Sequence, residues 1–205
     1  MPHRIDLDSI HQELFLLLNL AYAAPVYSKR HPSVFQQDIA TEAHEYYVHW
    51  LRFILSEKLL IIAVKVRVVL DMLQAEENFY FSEGEDAPFN IATMQKRGIG
   101  NHKVGNYVKG KGACDLRDCC NRIVHADEII PEVVPSPEID NSDIDPAMLA
   151  PNCWSGSVNL SGRKGHESWV FSLVVSAFCI TMERFLNIVE NDVDWHRMYK
   201  YDELI

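Results

Sequence analysis

The segment GKGACDLRDCCNRIVHAD, residues 110–127, contains a predicted helix over residues 113–126 that carries a row of polar side chains. Arg117, Asn121 and His125 follow one another at intervals of four residues. Because each residue of a helix is rotated by about 100°, a step of four shifts a side chain by only about 40° around the axis. The three polar side chains therefore lie along one stripe. The other side of this helix is apolar, with Leu116, Cys119, Cys120, Ile123 and Val124.

The polar stripe suits phosphate chemistry. An arginine can hold phosphate oxygens through paired hydrogen bonds, and a histidine can transfer a proton near neutral pH. An asparagine amide can orient either group. Together they would suit cleavage of RNA by attack of a 2′-hydroxyl on the adjacent phosphate, which needs no metal. The other interpretation is an ordinary helix face, on which Arg117 pairs with a carboxylate and His125 caps the carbonyls at the helix end.

Three longer segments also predict helices. Residues 6–24 contain Asp8 and Ser9, either of which can cap a first turn, followed by apolar side chains at helical spacing. Residues 34–73 continue the same pattern. The alternating valines near the end of that segment would suit a strand, but their continuity with the preceding residues favours a helix. Residues 167–191, ESWVFSLVVSAFCITMERFLNIVEN, are predicted as the final long helix.

The remaining segments predict connections within a single domain, residues 1–205. Residues 24–33 contain two prolines and are predicted as a loop. Residues 127–151 are acidic and rich in proline, with no Lys or Arg, and predict an exposed loop or arm. Residues 152–169 predict a β-hairpin, with the turn at GRKG, residues 162–165. We therefore expect an all-α helical bundle with a β-hairpin inserted before the last long helix.

The stretch LRDCCNRIVHA, residues 116–126, resembles the signature helix of the HEPN superfamily of helical domains. The stretch LLIIAVKVRVVLD, residues 59–71, resembles the helix that often precedes it. Many HEPN domains are metal-independent ribonucleases of toxin–antitoxin and anti-phage defence systems. The resemblance implies an all-α, HEPN-like bundle and a metal-independent endoribonuclease. In it, Arg117 would hold phosphate, Asn121 would orient the reacting groups, and His125 would act as acid or base.

The resemblance also implies partners. HEPN domains usually dimerise so that two motifs face one cleft, and we expect a homodimer with the helix at residues 113–126 near the two-fold axis. RNA and an antitoxin or other protein are the expected partners, with no cofactor and no metal. Arg117 is one helical turn farther from His125 than the family motif usually places its arginine. The alternative is a catalytically inactive HEPN-like interaction module, whose acidic arm at residues 127–151 binds a basic partner or another subunit.

The chain as a whole is acidic, with a net charge of -10 and a pI near 5.3. A protein with this charge does not attract nucleic acid through its overall field, so any such site must be a local basic patch. Residues 96–112 supply one, and Tyr107 is available there for stacking. The candidate nucleic-acid-binding residues are Lys96, Arg97, Lys103, Lys109, Lys111 and Arg122.

Cysteine usage and hydropathy indicate the compartment. The five cysteines are an odd number without zinc-finger spacing, which is typical of a reducing environment. The apolar run at residues 169–182 is shorter than the roughly 20 residues that span a bilayer. The first residues are charged and have no secretory-signal features. We therefore expect a soluble cytoplasmic protein that does not enter membranes.

Overall fold

The computed structural model describes residues 6–30, 37–75, 104–135 and 152–192, which form four helices and one four-stranded antiparallel sheet. The elements in chain order are α1 (Leu7–Arg30), α2 (Gln37–Ala75), β1 (Gly105–Lys109), α3 (Leu116–Val124), β2 (Glu128–Pro135), β3 (Asn152–Lys164), β4 (Glu167–Val174) and α4 (Val175–Asp192). The strand order across the sheet is β1-β4-β3-β2. The fold is α+β, and the predicted all-α, HEPN-like bundle is wrong.

The main error lies at residues 167–174, which we predicted as the start of the last helix. They form β4, in which buried Trp169, Phe171 and Leu173 alternate with more exposed residues. An alternation with a period of two is typical of a strand with one buried face. The alternation is hard to recognise because the apolar run continues without a break into α4, which begins at Val175.

The β3–β4 hairpin forms the centre of the sheet. Its turn lies between Lys164 and Glu167, which are register partners. The hairpin predicted at residues 152–169 covers β3 and only the first part of β4. Because β4 also pairs with β1, and β3 also pairs with β2, the hairpin is part of a larger sheet and is not an insertion between helices.

The predicted acidic arm at residues 127–151 begins with a strand. Residues Glu128–Pro135 form β2, which pairs with β3 at one edge of the sheet, and its register shifts between Pro131 and Val133. Proline is tolerated at such a position because an edge strand leaves one row of backbone groups without ladder partners. Residues 136–151 of the predicted arm lie outside the described residues.

The cap and the end of α1 also differ from the prediction. Oδ1 of Asp6 accepts a hydrogen bond from the backbone N–H of Ser9 at 3.1 Å, the contact that an N-cap residue makes. The cap is therefore Asp6 and not Asp8 or Ser9. The helix continues to Arg30, so most of the loop predicted at residues 24–33 is helical.

The described part of the helix predicted at residues 34–73 is confirmed, because α2 is one continuous helix of 39 residues. Its buried side chains recur at intervals of three and four residues, which fits a helix and excludes a strand through the valine-rich end. These buried residues are Leu51, Leu55, Leu59, Ile62, Ala63, Val66, Val69, Leu70 and Leu73.

The helices and the sheet share one hydrophobic core. α1 packs against α4, α2 and β3, while α2 also packs against α3 and β2. The core continues from the helices into the inner face of the central strands. Its largest fully buried side chains include Trp154, Phe171, Phe178 and Phe185. This packing fixes the position of α3 relative to the β3–β4 hairpin.

His11 connects α1 to α4 through two carboxylates. Its Nδ1 lies 2.8 Å from Oε1 of Glu183, and its Nε2 lies 3.0 Å from Oε1 of Glu190. Burial lowers the pKa of His11, but the hydrogen bonds and negative charges of the two glutamates outweigh it, so the pKa lies above its ordinary value of 6.5. The folded protein therefore binds a proton at His11 more tightly than the unfolded chain does.

We expect His11→Gln to lower the free energy of unfolding by about 0.5–1 kcal/mol near pH 5.5, a small value because both glutamates are more than a third exposed. His11 stabilises the fold fully at pH values below its pKa in the unfolded chain. This stabilisation is lost as the pH rises through the higher pKa that His11 has in the folded protein. The difference between the proteins should therefore nearly disappear by about pH 9. Urea unfolding of both proteins across this range measures it, and a difference that does not change with pH would contradict the expectation.

Candidate functional site

α3 is a short helix with a well-formed cap. It runs from Leu116 to Val124 and is shorter than the helix predicted at residues 113–126. Oδ1 of Asp115 accepts a hydrogen bond from the backbone N–H of Asp118 at 2.7 Å, which satisfies one of the free donors of the first turn. The apolar side is buried through Leu116, Cys119, Cys120 and Ile123, and the polar residues of α3 lie on the opposite side.

Asp118 is the centre of a hydrogen-bond network that joins α3 to β1. Its Oδ2 accepts from the hydroxyl of Tyr107 at 2.7 Å and from the backbone N–H of Cys114 at 3.1 Å. Its Oδ1 accepts from Nε and Nη2 of Arg122, both at 3.3 Å. Burial and the Asp118 carboxylate together raise the pKa of Tyr107, so its hydroxyl remains protonated and continues to donate.

Arg122 is held between two aromatic rings. Its guanidinium carbon lies 4.8 Å from the ring centroid of Trp169 and 5.3 Å from that of Tyr107. Both distances are within the range of cation–π attraction. With Asp118 bound on a third side, the arginine side chain is fixed in place and only 13% exposed.

The end of α3 approaches β3 very closely at Gly162. A Cβ atom at this position would lie 2.5 Å from the Trp169 ring and 2.8 Å from the backbone oxygen of His125. His125 is the C-cap residue of α3, and its backbone N–H donates to the carbonyl oxygen of Asn121 at 3.0 Å. The missing side chain at Gly162 therefore allows the helix end to lie against the hairpin.

An open cleft of about 690 Å³ lies between the outer side of α3 and the end of the β3–β4 hairpin. Its lining comes from α3, the segment that follows it, the end of β3, and β4. The lining residues are Asp118, Asn121, Arg122, Val124, His125, Ala126, Asp127, Arg163, Lys164 and Trp169.

The structure separates the three residues of the predicted catalytic stripe. Asn121 and His125 line the cleft. Arg117 is absent from its lining, and Nη2 of Arg117 forms an ion pair with Oδ1 of Asp71 on α2. Arg117, on the first turn of α3, therefore pairs with a carboxylate, as the alternative interpretation predicted. The end of α3, which carries Asn121 and His125, faces the cleft.

The predicted nucleic-acid-binding residues are also divided. Arg122 lines the cleft. Lys109 ends β1 and Lys111 follows it, both with exposed side chains on a segment that runs beside Trp169 and Asp118. Three further candidates, Lys96, Arg97 and Lys103, lie outside the described residues.

Two cationic residues of the cleft were missed from the sequence. Arg163 and Lys164 end β3 with exposed side chains, and we treated them only as part of the GRKG turn. Asp127 is the other acidic residue of the cleft lining besides Asp118. Two basic residues at a hairpin turn were a usable signal, but nothing in the sequence shows that this turn lies beside α3.

Other kinds of site find no support in the described parts of the chain. Burial raises the pKa of the Cys120 thiol to about 12 and that of Cys119 also strongly, so both remain protonated and poorly nucleophilic near neutral pH. Within the described ranges, no group of three or more His, Cys, Asp or Glu is placed to hold a metal ion. None of the described helices has both the length and the apolar character needed to cross a membrane.

Comparison of the chain with protein-family models, curated proteins and solved structures gives no match.

We expect Asp118→Asn to lower the free energy of unfolding by about 2–3 kcal/mol, because it leaves the largely buried Arg122 without its counter-charge. The matched control is Asp71→Asn, which removes the partner of Arg117. Asp71 is 52% exposed, so this change should cost less than about 1 kcal/mol. Chemical unfolding measures both values, and equal losses would contradict a central role for Asp118.

We expect Gly162→Ala to destabilise the protein by about 1–3 kcal/mol, because the new methyl group overlaps the Trp169 ring and the backbone oxygen of His125. The strain should also displace the end of α3. Thermal unfolding tests the first effect, and a changed NMR resonance of the His125 ring tests the second. Wild-type stability with an unmoved His125 resonance would show that the contact is not as close as described.

Proposed function

We propose that the cleft beside α3 binds the phosphate backbone of single-stranded RNA and that His125 supports metal-independent cleavage of the bound strand. The observation that carries the proposal is the convergence of Asn121 and His125 from α3 with Arg163 and Lys164 from the hairpin around one open cleft. These are side chains that bind phosphate oxygens or transfer protons, and they come from distant parts of the sequence.

Charge favours an anionic ligand in this cleft. Among the lining residues, Asp118 is already bound by Arg122, which leaves the two cations Arg163 and Lys164 with one other carboxylate, that of Asp127. An arginine can bind two phosphate oxygens at once, and a lysine adds a mobile point charge. The local excess of positive charge supports phosphate binding in a chain whose net charge is -10.

His125 carries out the proton transfer in this proposed function. Its side chain is exposed, and its backbone, not its ring, makes the cap hydrogen bond of α3. An imidazole at the wall of a cleft can take the proton of a 2′-hydroxyl or give one to the departing oxygen near neutral pH. Asn121, one turn earlier on α3, can orient the ring or a phosphate oxygen.

The phosphate-binding arginine of the proposal is Arg163, not Arg117. Arg117 is engaged with Asp71 and does not line the cleft. The roles of Asn121 and His125 in this proposal follow the resemblance to HEPN proteins. The all-α bundle that the resemblance implies is wrong. A role in toxin–antitoxin or anti-phage systems, an antitoxin partner, and a cytoplasmic location stay predictions.

A second candidate function is RNA binding at the same cleft without cleavage. It is favoured by the ion pair between Arg117 and Asp71, which leaves the predicted catalytic stripe incomplete. The two candidates differ only in chemistry at His125, so one experiment distinguishes them.

We expect purified protein to cleave single-stranded RNA in excess EDTA, and His125→Ala to abolish cleavage while changing RNA affinity by less than about threefold. The reason is that His125 supplies proton transfer and little of the binding energy. Gel-based cleavage and fluorescence anisotropy of the same labelled RNA provide the two readouts. If the wild type and His125→Ala both bind the RNA and neither cleaves it, the second candidate is supported. If the wild type does not bind the RNA, both candidates are overturned.

We expect the double variant Arg163→Ala/Lys164→Ala to weaken RNA binding about tenfold or more. Removal of two phosphate contacts should also reduce the slope of log affinity against log salt by roughly 1.4. The matched control is Arg52→Ala/Arg184→Ala, which removes two exposed arginines of α2 and α4 that do not line the cleft. Equal losses in both double variants would show that binding follows overall charge, not this cleft.

A further inference from the structure

The outer face of α2 carries a continuous row of exposed apolar side chains, which we name the α2 stripe. Each member is between 43% and 66% exposed. The buried side of the same helix is also apolar, so α2 is hydrophobic on two opposite faces. A helix of this kind is usually covered on both faces. The α2 stripe consists of Tyr46, Trp50, Phe53, Leu60, Val64 and Val68.

The spacing of the α2 stripe is that of a helix–helix seam. Residues 46, 50, 53, 57, 60 and 64 alternate at intervals of four and three, and Val68 follows Val64 at a further interval of four. This alternation is the a/d pattern of a coiled coil, in which the apolar seam repeats every 3.5 residues. Within these positions Glu57 is the one that is not apolar. The regular spacing indicates a partner helix that lies along α2.

The exposed area is close to what a stable dimer requires. Multiplying each exposed fraction by a full side-chain area of roughly 150–250 Å² gives on the order of 460–770 Å² for the six residues. An interface of ordinary size buries about 800 Å² on each partner, and the largest apolar patch of a typical monomer is about 300–600 Å². The α2 stripe therefore supplies most of an interface by itself.

We propose that the α2 stripe is the contact surface for a second copy of this chain, with the two α2 helices antiparallel. The N-terminal half of the stripe is aromatic, and the C-terminal half is aliphatic. Antiparallel pairing places the large side chains of one copy against the small ones of the other, which gives an even distance between the helices. Parallel pairing would place Trp50 against Trp50 and Val64 against Val64.

The aromatic half of the stripe is already packed before any partner binds. The Trp50 ring makes edge contacts with Tyr46 at 6.0 Å and with Phe53 at 5.8 Å between ring centroids. Side chains that are already ordered lose less entropy on association. The exposed acidic residues on the same side of α2, Glu57 and Asp71, argue against an anionic lipid surface as the occupant.

Antiparallel pairing of Tyr46 with Val68 would bring the Glu57 side chains of the two copies to the same level, at the middle of the paired helices. A carboxylate in an apolar seam lowers affinity, because it loses water, but it restricts the register. The α2 interface differs from the arrangement implied by the HEPN resemblance, in which α3 lies near the two-fold axis. It does not depend on RNA binding.

We test the interface with the full chain by sedimentation velocity over a series of protein concentrations. We expect the wild type to be a dimer. Trp50→Glu should raise the dimer dissociation constant at least about 100-fold by placing a charge in the seam. Glu57→Leu should lower it about tenfold by completing the seam. The control, Phe15→Glu, changes a residue of α1 that is 65% exposed and outside the stripe, and should leave the constant unchanged.

We expect each variant to fold, because these side chains are exposed in the monomer. Circular dichroism checks that it does. A monomeric wild type, or a dimer that resists Trp50→Glu, would overturn the interface. Disulfide cross-linking tests the orientation. Tyr46→Cys should cross-link to Val68→Cys in a mixed dimer, and cross-linking of Tyr46→Cys to itself instead would overturn the antiparallel arrangement.

Discussion

The cleft beside α3 depends on one largely buried carboxylate. Asp118 receives hydrogen bonds from the Tyr107 hydroxyl, the Cys114 backbone and the Arg122 guanidinium. These contacts fasten α3 to β1 and hold Arg122 against the Trp169 ring. A buried carboxylate with several donors is stable only while all of them are present, so the position of α3 and the shape of the neighbouring cleft are determined together.

The cleft follows from this fixed position. Once α3 is attached to β1 and its end lies against Gly162, the side chains of Asn121 and His125 face the end of the β3–β4 hairpin. Arg163 and Lys164 then add positive charge opposite the helix. The proposed RNA site is thus built from a helix end and a hairpin end, while Arg117 on the first turn of α3 is committed to Asp71. The proposed dimer surface lies on α2 and includes neither the cleft residues nor Arg117.

Much of the helical structure was predictable because its period was strong. The buried residues of α2 follow the 3.6-residue period even through the valine-rich end, and the apolar side of α3 was identified correctly. The strands were harder. β4 has a clear alternation at Trp169, Phe171 and Leu173, but no Gly or Pro separates it from α4, so the two elements look like one helix. β2 was missed because prolines and acidic residues are typical of loops, and only an edge position accommodates them.

The sequence by itself determined the amphipathic character of α3 and the presence of a hairpin turn at Gly165, since these depend on local periodicity and turn-forming residues. Only the tertiary structure decided which chemistry each group can take part in. Contacts between residues far apart in the chain place Arg117 beside Asp71, and bring Arg163 and Lys164 to the cleft with His125. Such contacts depend on how whole elements pack, and no short sequence pattern encodes that packing.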